Sequence, residues 1–175
     1  MRDVEVVTCF LLRRRQEGDE VLVLRRSERV GTYRGKWAGV SGYLEPGASA
    51  MQQAEREVEE ETGLSREEVR LLRQGEPLEV VDEGIGVRWR VHPFLLEVVS
   101  GGLPSRRKAR LKPGLRAWEG EGLRLDWEHV EARWVRPEEV RELETVPGLA
   151  EALERVCGEQ GAKSEERSAK GEGAR

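Results

Sequence analysis

Glu57, Glu60 and Glu61 stand at i, i+3 and i+4. On a helix that spacing puts three carboxylates within an arc of about 100° on one side. Oxygen donors so grouped suit a hard divalent cation such as Mg2+, which takes one or two carboxylates and completes its shell with water and substrate phosphate oxygens. Stability argues against the arrangement. Like charges at this spacing repel by a few tenths of a kcal/mol per pair, and the negative end of the helix dipole disfavours anions by about 0.3–1 kcal/mol. Taken alone, a glutamate cluster in a glutamate-rich chain is a solvated acidic face; the surrounding pattern separates the two readings.

The helix that carries these residues is well marked. Ser49 and Gln52 form a capping box, Met51, Ala54 and Val58 recur at helical spacing, and Gly63 stands where a left-handed C-terminal cap belongs, so the helix spans Ala50 to Thr62. Upstream, Val4 to Leu12 and Val21 to Leu24 read as a strand pair joined by a polar turn containing Gly18, and Trp37 to Leu44 as a strand entering the turn Glu45, Pro46, Gly47. Downstream, Leu78 to Val81, Val87 to Val98 and Ala132 to Val135 read as strands; Pro93 favours an edge or a bulge for the second. Pro137 opens a short helix to Leu143, and Pro147 sits in the first turn of another with Leu149, Leu153 and Val156 on one face. Alternating strands and helices make this an α/β protein.

The chain has 175 residues, 37% of them hydrophobic, and 30 Lys and Arg against 34 Asp and Glu give a net charge of −4. One ordinary soluble domain accounts for this, and the near balance of charge argues against a dedicated DNA-binding protein. No apolar run approaches the roughly 20 residues of a membrane span, and Met1, Arg2 and Asp3 do not begin a signal peptide, so a cytoplasmic location without membrane contact is expected. Cys9 and Cys157, far apart in sequence, suggest neither a disulfide framework nor structural zinc. Residues 1–157 are expected to form the domain and 158–175, rich in Gly, Ser, Ala, Glu and Lys, a disordered tail. Between residues 100 and 125, Arg106, Arg107, Lys108, Arg110, Lys112, Arg116 and Arg124 face only Glu119 and Glu121, a basic insertion longer than ordinary loops.

The stretch GYLEPGASAMQQAEREVEEETGL, Gly42 to Leu64, resembles the Nudix box, G-x5-E-x7-R-E-U-x-E-E-x-G-U with U aliphatic, and matches eight of its nine fixed positions. Ala48 replaces the first glutamate of the box, with Glu45 nearby. The resemblance implies an α/β/α sandwich around a mixed β-sheet. It also implies Mg2+- or Mn2+-dependent attack of water on phosphorus, cleaving a nucleoside diphosphate linked to another group X. In that scheme Glu57, Glu60 and Glu61 bind the metal, Arg56 orients the carboxylates, and the backbone carbonyl of Ser41 is a further ligand. Similar proteins add a glutamate from the loop before the last strand; here the candidate is Glu128, as metal ligand or general base, with His129 beside it as a weaker candidate for base or phosphate contact. Similar proteins also place an arginine near the phosphates where Arg25 and Arg26 end the second strand, and Arg26 is favoured.

His92, before Pro93, reads as structural, and Trp37, Trp89, Trp127 and Trp134 read as core residues rather than as a platform for a base. The segments WAGVSGYLE, LDWEH and VPGLAEALERV are similar to Nudix domains joined to initiation-factor-2B-like sugar-phosphate isomerases, which points to a nucleotide-sugar substrate. Two other readings stay open: an RNA 5′-end pyrophosphohydrolase that uses the basic insertion, and a non-catalytic Nudix-like nucleotide-binding module. Family members are often homodimers, so self-association is an implication of the resemblance.

Overall fold

The computed structural model describes residues 1–99 and 128–158, together with the backbone of two short strands at 116–117 and 124–125. The rest of the basic insertion, Trp127 and the expected tail beyond residue 158 lie outside the described residues. In chain order come β1 (Arg2–Arg13), β2 (Glu20–Arg26), β3 (Trp37–Ala38), β4 (Val40–Tyr43) and helix α1 (Ala50–Thr62). Then follow β5 (Val69–Gln74), β6 (Leu78–Asp82), β7 (Val87–Val98), β8 (Arg116–Ala117), β9 (Arg124–Leu125), β10 (His129–Val135) and helix α2 (149–158). Among the described residues no helix is long and apolar enough to cross a membrane.

β1 and β7 run parallel in unbroken register from Arg2 opposite Val87 to Leu12 opposite Glu97, and the other pairings of the main sheet are antiparallel. The sheet order is β10-β2-β1-β7-β5, with β3 on β2, β4 on β1 and β6 on β7. Strand alternation sends successive side chains to opposite faces. Val7, Cys9 and Leu11 of β1 join Phe94 and Leu96 beneath Ala54 and Val58 of α1, while Phe10, Leu12 and Leu95 join Leu149, Ala152, Leu153 and Val156 of α2. The expected α/β/α sandwich around a mixed sheet is the observed fold.

The sheet forks, and the fork makes room for a site. β1 meets β2 only through Leu12–Val21 and Arg13–Glu20, whereas Val6 to Cys9 pair with β4 and Leu24 and Arg25 pair with β3. The stretch expected as one strand from Trp37 to Leu44 therefore divides at Gly39 between the two branches. α1 has the expected bounds and caps: Gln52 N donates to Ser49 Oγ (3.1 Å), Ser49 N donates to Gln52 Oε1 (3.0 Å), and Gly63 closes the helix at φ 79°.

Other expectations are corrected. Pro93 lies neither at an edge nor in a bulge of its own: β7 is flanked by β1 on one side and by β6 and β5 on the other. Its carbonyl accepts from Gly75 N (2.9 Å), just beyond the last β6 pair at Val91 and the first β5 pair at Phe94. The N–H that proline lacks would point to that same side, into the seam between β6 and β5, where it breaks no ladder. β5, whose sequence VRLLRQ alternates poorly, was not anticipated. Residues Pro137–Glu142 wind as a 3-10 turn, and Pro147 precedes α2 instead of entering its first turn.

Candidate active site

α1 projects its acidic side toward β4, and one glycine governs the approach. A Cβ on Gly42 would lie 2.0 Å from the Glu57 carboxylate, so only glycine at this position lets that side chain lie across β4. Gln53, one turn earlier and 1% exposed, donates from Nε2 to Glu57 Oε1 (2.8 Å) and accepts from Glu45 N at 3.3 Å. A buried amide satisfied on both sides fixes the carboxylate it touches. Sequence reasoning passed over Gln53; its i, i+4 spacing to Glu57 was the available signal.

Glu61, 3% exposed, accepts from the backbone N–H of Ser41 (3.2 Å), and the Ser41 hydroxyl lies 3.1 Å from Thr8 Oγ1. Cys9 sits beneath α1 with its thiol toward Ala54 O; burial first, and then the charges of Glu61 and Glu57, push its pKa well above the ordinary thiol value. The thiol thus stays protonated beside two negative groups. Both cysteines are free. Arg56 does not reach inward to these carboxylates: it pairs with exposed Glu45 at 2.5 Å on the outer side of the box. Among the described residues no three Asp, Glu, His or Cys side chains already converge into a metal-binding cluster.

Glu57 and Glu60 line a cavity of about 400 Å3 in the fork of the sheet, within the size range of small-ligand sites. Glu128 reaches the same cavity from the turn before β10, where its carbonyl accepts from Ser27 N (2.7 Å). Ser41, Gly42 and Arg26 also line it, so the helix, β2, β4 and the last loop meet there. Arg26 is placed by a hydrogen bond from Nε to Thr32 O (3.0 Å). Alternation along β2 turns Arg25 the other way, to Gly35 O and Glu131, outside the cavity. His129 is 3% exposed, stands opposite Arg26 in the β2–β10 ladder and is not part of the cavity wall.

A second wall is apolar. Tyr33 and Trp89 line it with Val6, Val30, Val91 and Val146. Trp37 is core as expected, and Trp134 and Trp89 are half-buried and pack against the core, Trp89 lining the cavity as well. His92, half-buried beside Glu5 at 3.4 Å, is away from the cavity wall, in keeping with a structural residue.

The sequence pattern of the NUDIX domain matches residues 2–156. The chain belongs to the NUDIX family. Solved structures agree on the fold. A Nudix hydrolase from M. smegmatis, RenU, superposes with a TM-score of 0.67 at 19% identity over 93% of this chain and 89% of that one. A C. elegans Ap4A hydrolase gives 0.64 at 18% identity over 91% and 98%, and a MutT protein from Methanosarcina mazei Go1 gives 0.63 at 23% over 91% and 96%. As a Nudix hydrolase the protein is a pyrophosphohydrolase acting on phosphoanhydride bonds.

Proposed function

We propose that the cavity in the forked sheet binds a nucleoside diphosphate linked to a second group X and hydrolyses its phosphoanhydride with Mg2+ or Mn2+. The observation that carries this reading is the meeting of Glu57, Glu60 and Glu128 with Arg26 in a single nucleotide-sized cavity. The donor set fits such an ion: it offers only oxygens, and the space over Gly42 is held by a carboxylate. Glu57, Glu60 and Glu61 would hold the cation with the Ser41 carbonyl. When bound, it would neutralise the diphosphate and lower the pKa of a coordinated water.

The chain's own residues do the rest. Gln53 keeps Glu57 turned toward the cavity, and Glu61 holds the Ser41 backbone. Arg26 offers a guanidinium fork to phosphate oxygens. Glu128 takes up the proton of the attacking water as general base. Arg56, paired with Glu45, braces the turn that leads from β4 into α1; in this role it acts on the box from outside, and the loss of a glutamate at Ala48 leaves the cavity-facing carboxylates in place.

The test is to incubate the purified protein with Mg2+ or Mn2+ and NTPs, NDP-sugars, ADP-ribose, dinucleoside polyphosphates and 5′-triphosphate RNA, separating products by chromatography. Turnover of a free nucleotide derivative that falls by at least about 100-fold in Glu60→Gln supports the proposal, general acid–base and metal-ligand losses being of that order. Background turnover of every compound by the native protein would overturn it in favour of a binding module, and turnover of RNA alone would move the substrate to an RNA 5′ end.

A further inference from the structure

Tyr33 is the one non-glycine residue with a left-handed backbone among the described residues, at φ 52°. For an aromatic side chain that conformation is strained, and strain of this kind persists where the surroundings impose it. Here the surroundings are polar: the Tyr33 hydroxyl donates to Asp82 Oδ2 (2.7 Å) and accepts from Trp89 Nε1 (3.1 Å). The two rings stand 6.3 Å apart at 54°, an open corner rather than a closed stack. Burial, reinforced by the bond to Asp82, pushes the Tyr33 phenol up to about 12, so it donates throughout the working pH range.

Each aromatic has thus committed its polar handle to its neighbour. Trp89 has a single donor and has spent it; Tyr33 has donated its only proton. What the pair brings to the cavity lining is two aromatic rings, beside Val6, Val30 and Val91. Arg26 lines the same cavity and lies near enough to Tyr33 to act on its ionisation.

From this geometry we infer that the Tyr33–Trp89 corner is the seat of the substrate's nucleobase, recognised by ring stacking and apolar contact and therefore tolerant of base identity. The inference rests on the proposed nucleotide reading of the cavity and deepens it. Stacking tolerates any base because every base has a π-face, whereas selection of one base needs unpaired hydrogen-bonding groups that this corner has already consumed. Asp82 is a positioning residue, acting through Tyr33.

Calorimetric titration with the non-hydrolysable α,β-methylene analogues of ADP, GDP, CDP and UDP, and with base-free methylenediphosphonate, all in millimolar Mg2+, tests it. The four nucleotides are expected to bind within about fivefold of one another and each at least about tenfold tighter than methylenediphosphonate, as loss or gain of one stacking contact implies. Trp89→Leu is expected to weaken the nucleotides by about 10- to 100-fold without weakening methylenediphosphonate, and Trp89→Phe to restore most of the affinity. Tyr33→Asn removes a ring while suiting the left-handed backbone; it is expected to keep the native circular dichroism spectrum and lose nucleotide affinity. Unchanged nucleotide binding in Trp89→Leu and Tyr33→Asn, no advantage over methylenediphosphonate, or a preference for one base beyond about 100-fold would overturn the inference. Failure of the hydrolytic reading is seen separately: analogue binding that depends on Trp89, in a protein with no turnover, would leave the corner standing and remove the reaction.

Discussion

The two walls of the cavity are built by opposite means. The acidic wall takes Glu57 and Glu60 from one continuous segment, Gly42 to Leu64, whose helix carries its own caps and whose carboxylates are spaced by helical geometry, and adds Glu128 from the turn before β10. The aromatic wall joins Tyr33, in the loop between β2 and β3, to Trp89 of β7 and Asp82 of β6, partners 56 and 49 residues from Tyr33. The first wall gathers like charges at a local cost. The second has its polar groups satisfied and strain confined to one backbone position. A site that must hold a cation against a diphosphate needs gathered negative charge, whereas a site for a flat ring needs rigid apolar surface; the two chemistries call for different construction.

The comparison breaks first at Gly42. Gly42→Ala would put a Cβ 2.0 Å from the Glu57 carboxylate and force it aside. We expect kcat to fall by about 100-fold, the scale of an ångström-sized displacement at a reacting centre. Affinity for the methylene nucleotides, set by the other wall, should hold within a few-fold. An equal loss in both would show that the walls do not act separately. Gln53→Leu comes next. Without its bond to Glu57, Mn2+ affinity measured by electron paramagnetic resonance should drop by about 10-fold, as for other residues that orient metal ligands; unchanged affinity would mean that the carboxylate is held by its neighbours alone.

Smaller effects sharpen the contrast between local and long-range construction. Ser49→Ala removes the side-chain cap of α1 and should cost about 1 kcal/mol in urea denaturation. Far from both walls, Glu97 accepts from Arg70 (2.5 Å) and Arg14 (2.8 Å), and these bonds, Arg70's first, hold its pKa below the ordinary carboxylate value despite burial. A depressed acid stabilises the fold at pH values above its unfolded pKa and ceases to do so as pH falls through its folded one. Glu97→Gln should therefore lower the melting temperature at neutral pH, and the gap to the native protein should close as pH drops below about 4. A gap that persisted in acid would assign the loss to packing.

Legibility follows the same division. The bounds of α1, both of its caps and the identities of Glu57 and Glu60 could be read in sequence because their determinants lie within a few residues. Glu128 was found through the family pattern, and alternation in a strand would have separated Arg26 from Arg25. By contrast, β5 escaped because Arg70 and Arg73 interrupt its apolar residues, and Pro93 misled because one strand is flanked on the same side by two others, leaving a seam that no local pattern announces. Trp89 read as core, and it does pack against the core; that it also walls the cavity depends on strands far apart in sequence.

The sequence by itself determined the capped acidic helix, since spacing on a helix is fixed by its 3.6-residue turn, and its box pattern carried the resemblance that implied the family and the class of bond attacked. Only the tertiary structure decided that Arg56 serves Glu45 and not the helix carboxylates, that Glu61 is tied to Ser41, and that Tyr33 and Trp89 share a corner. The last two contacts join elements that meet at the forked sheet, and a fork is a property of strand pairing across the whole chain, which no short stretch of residues encodes.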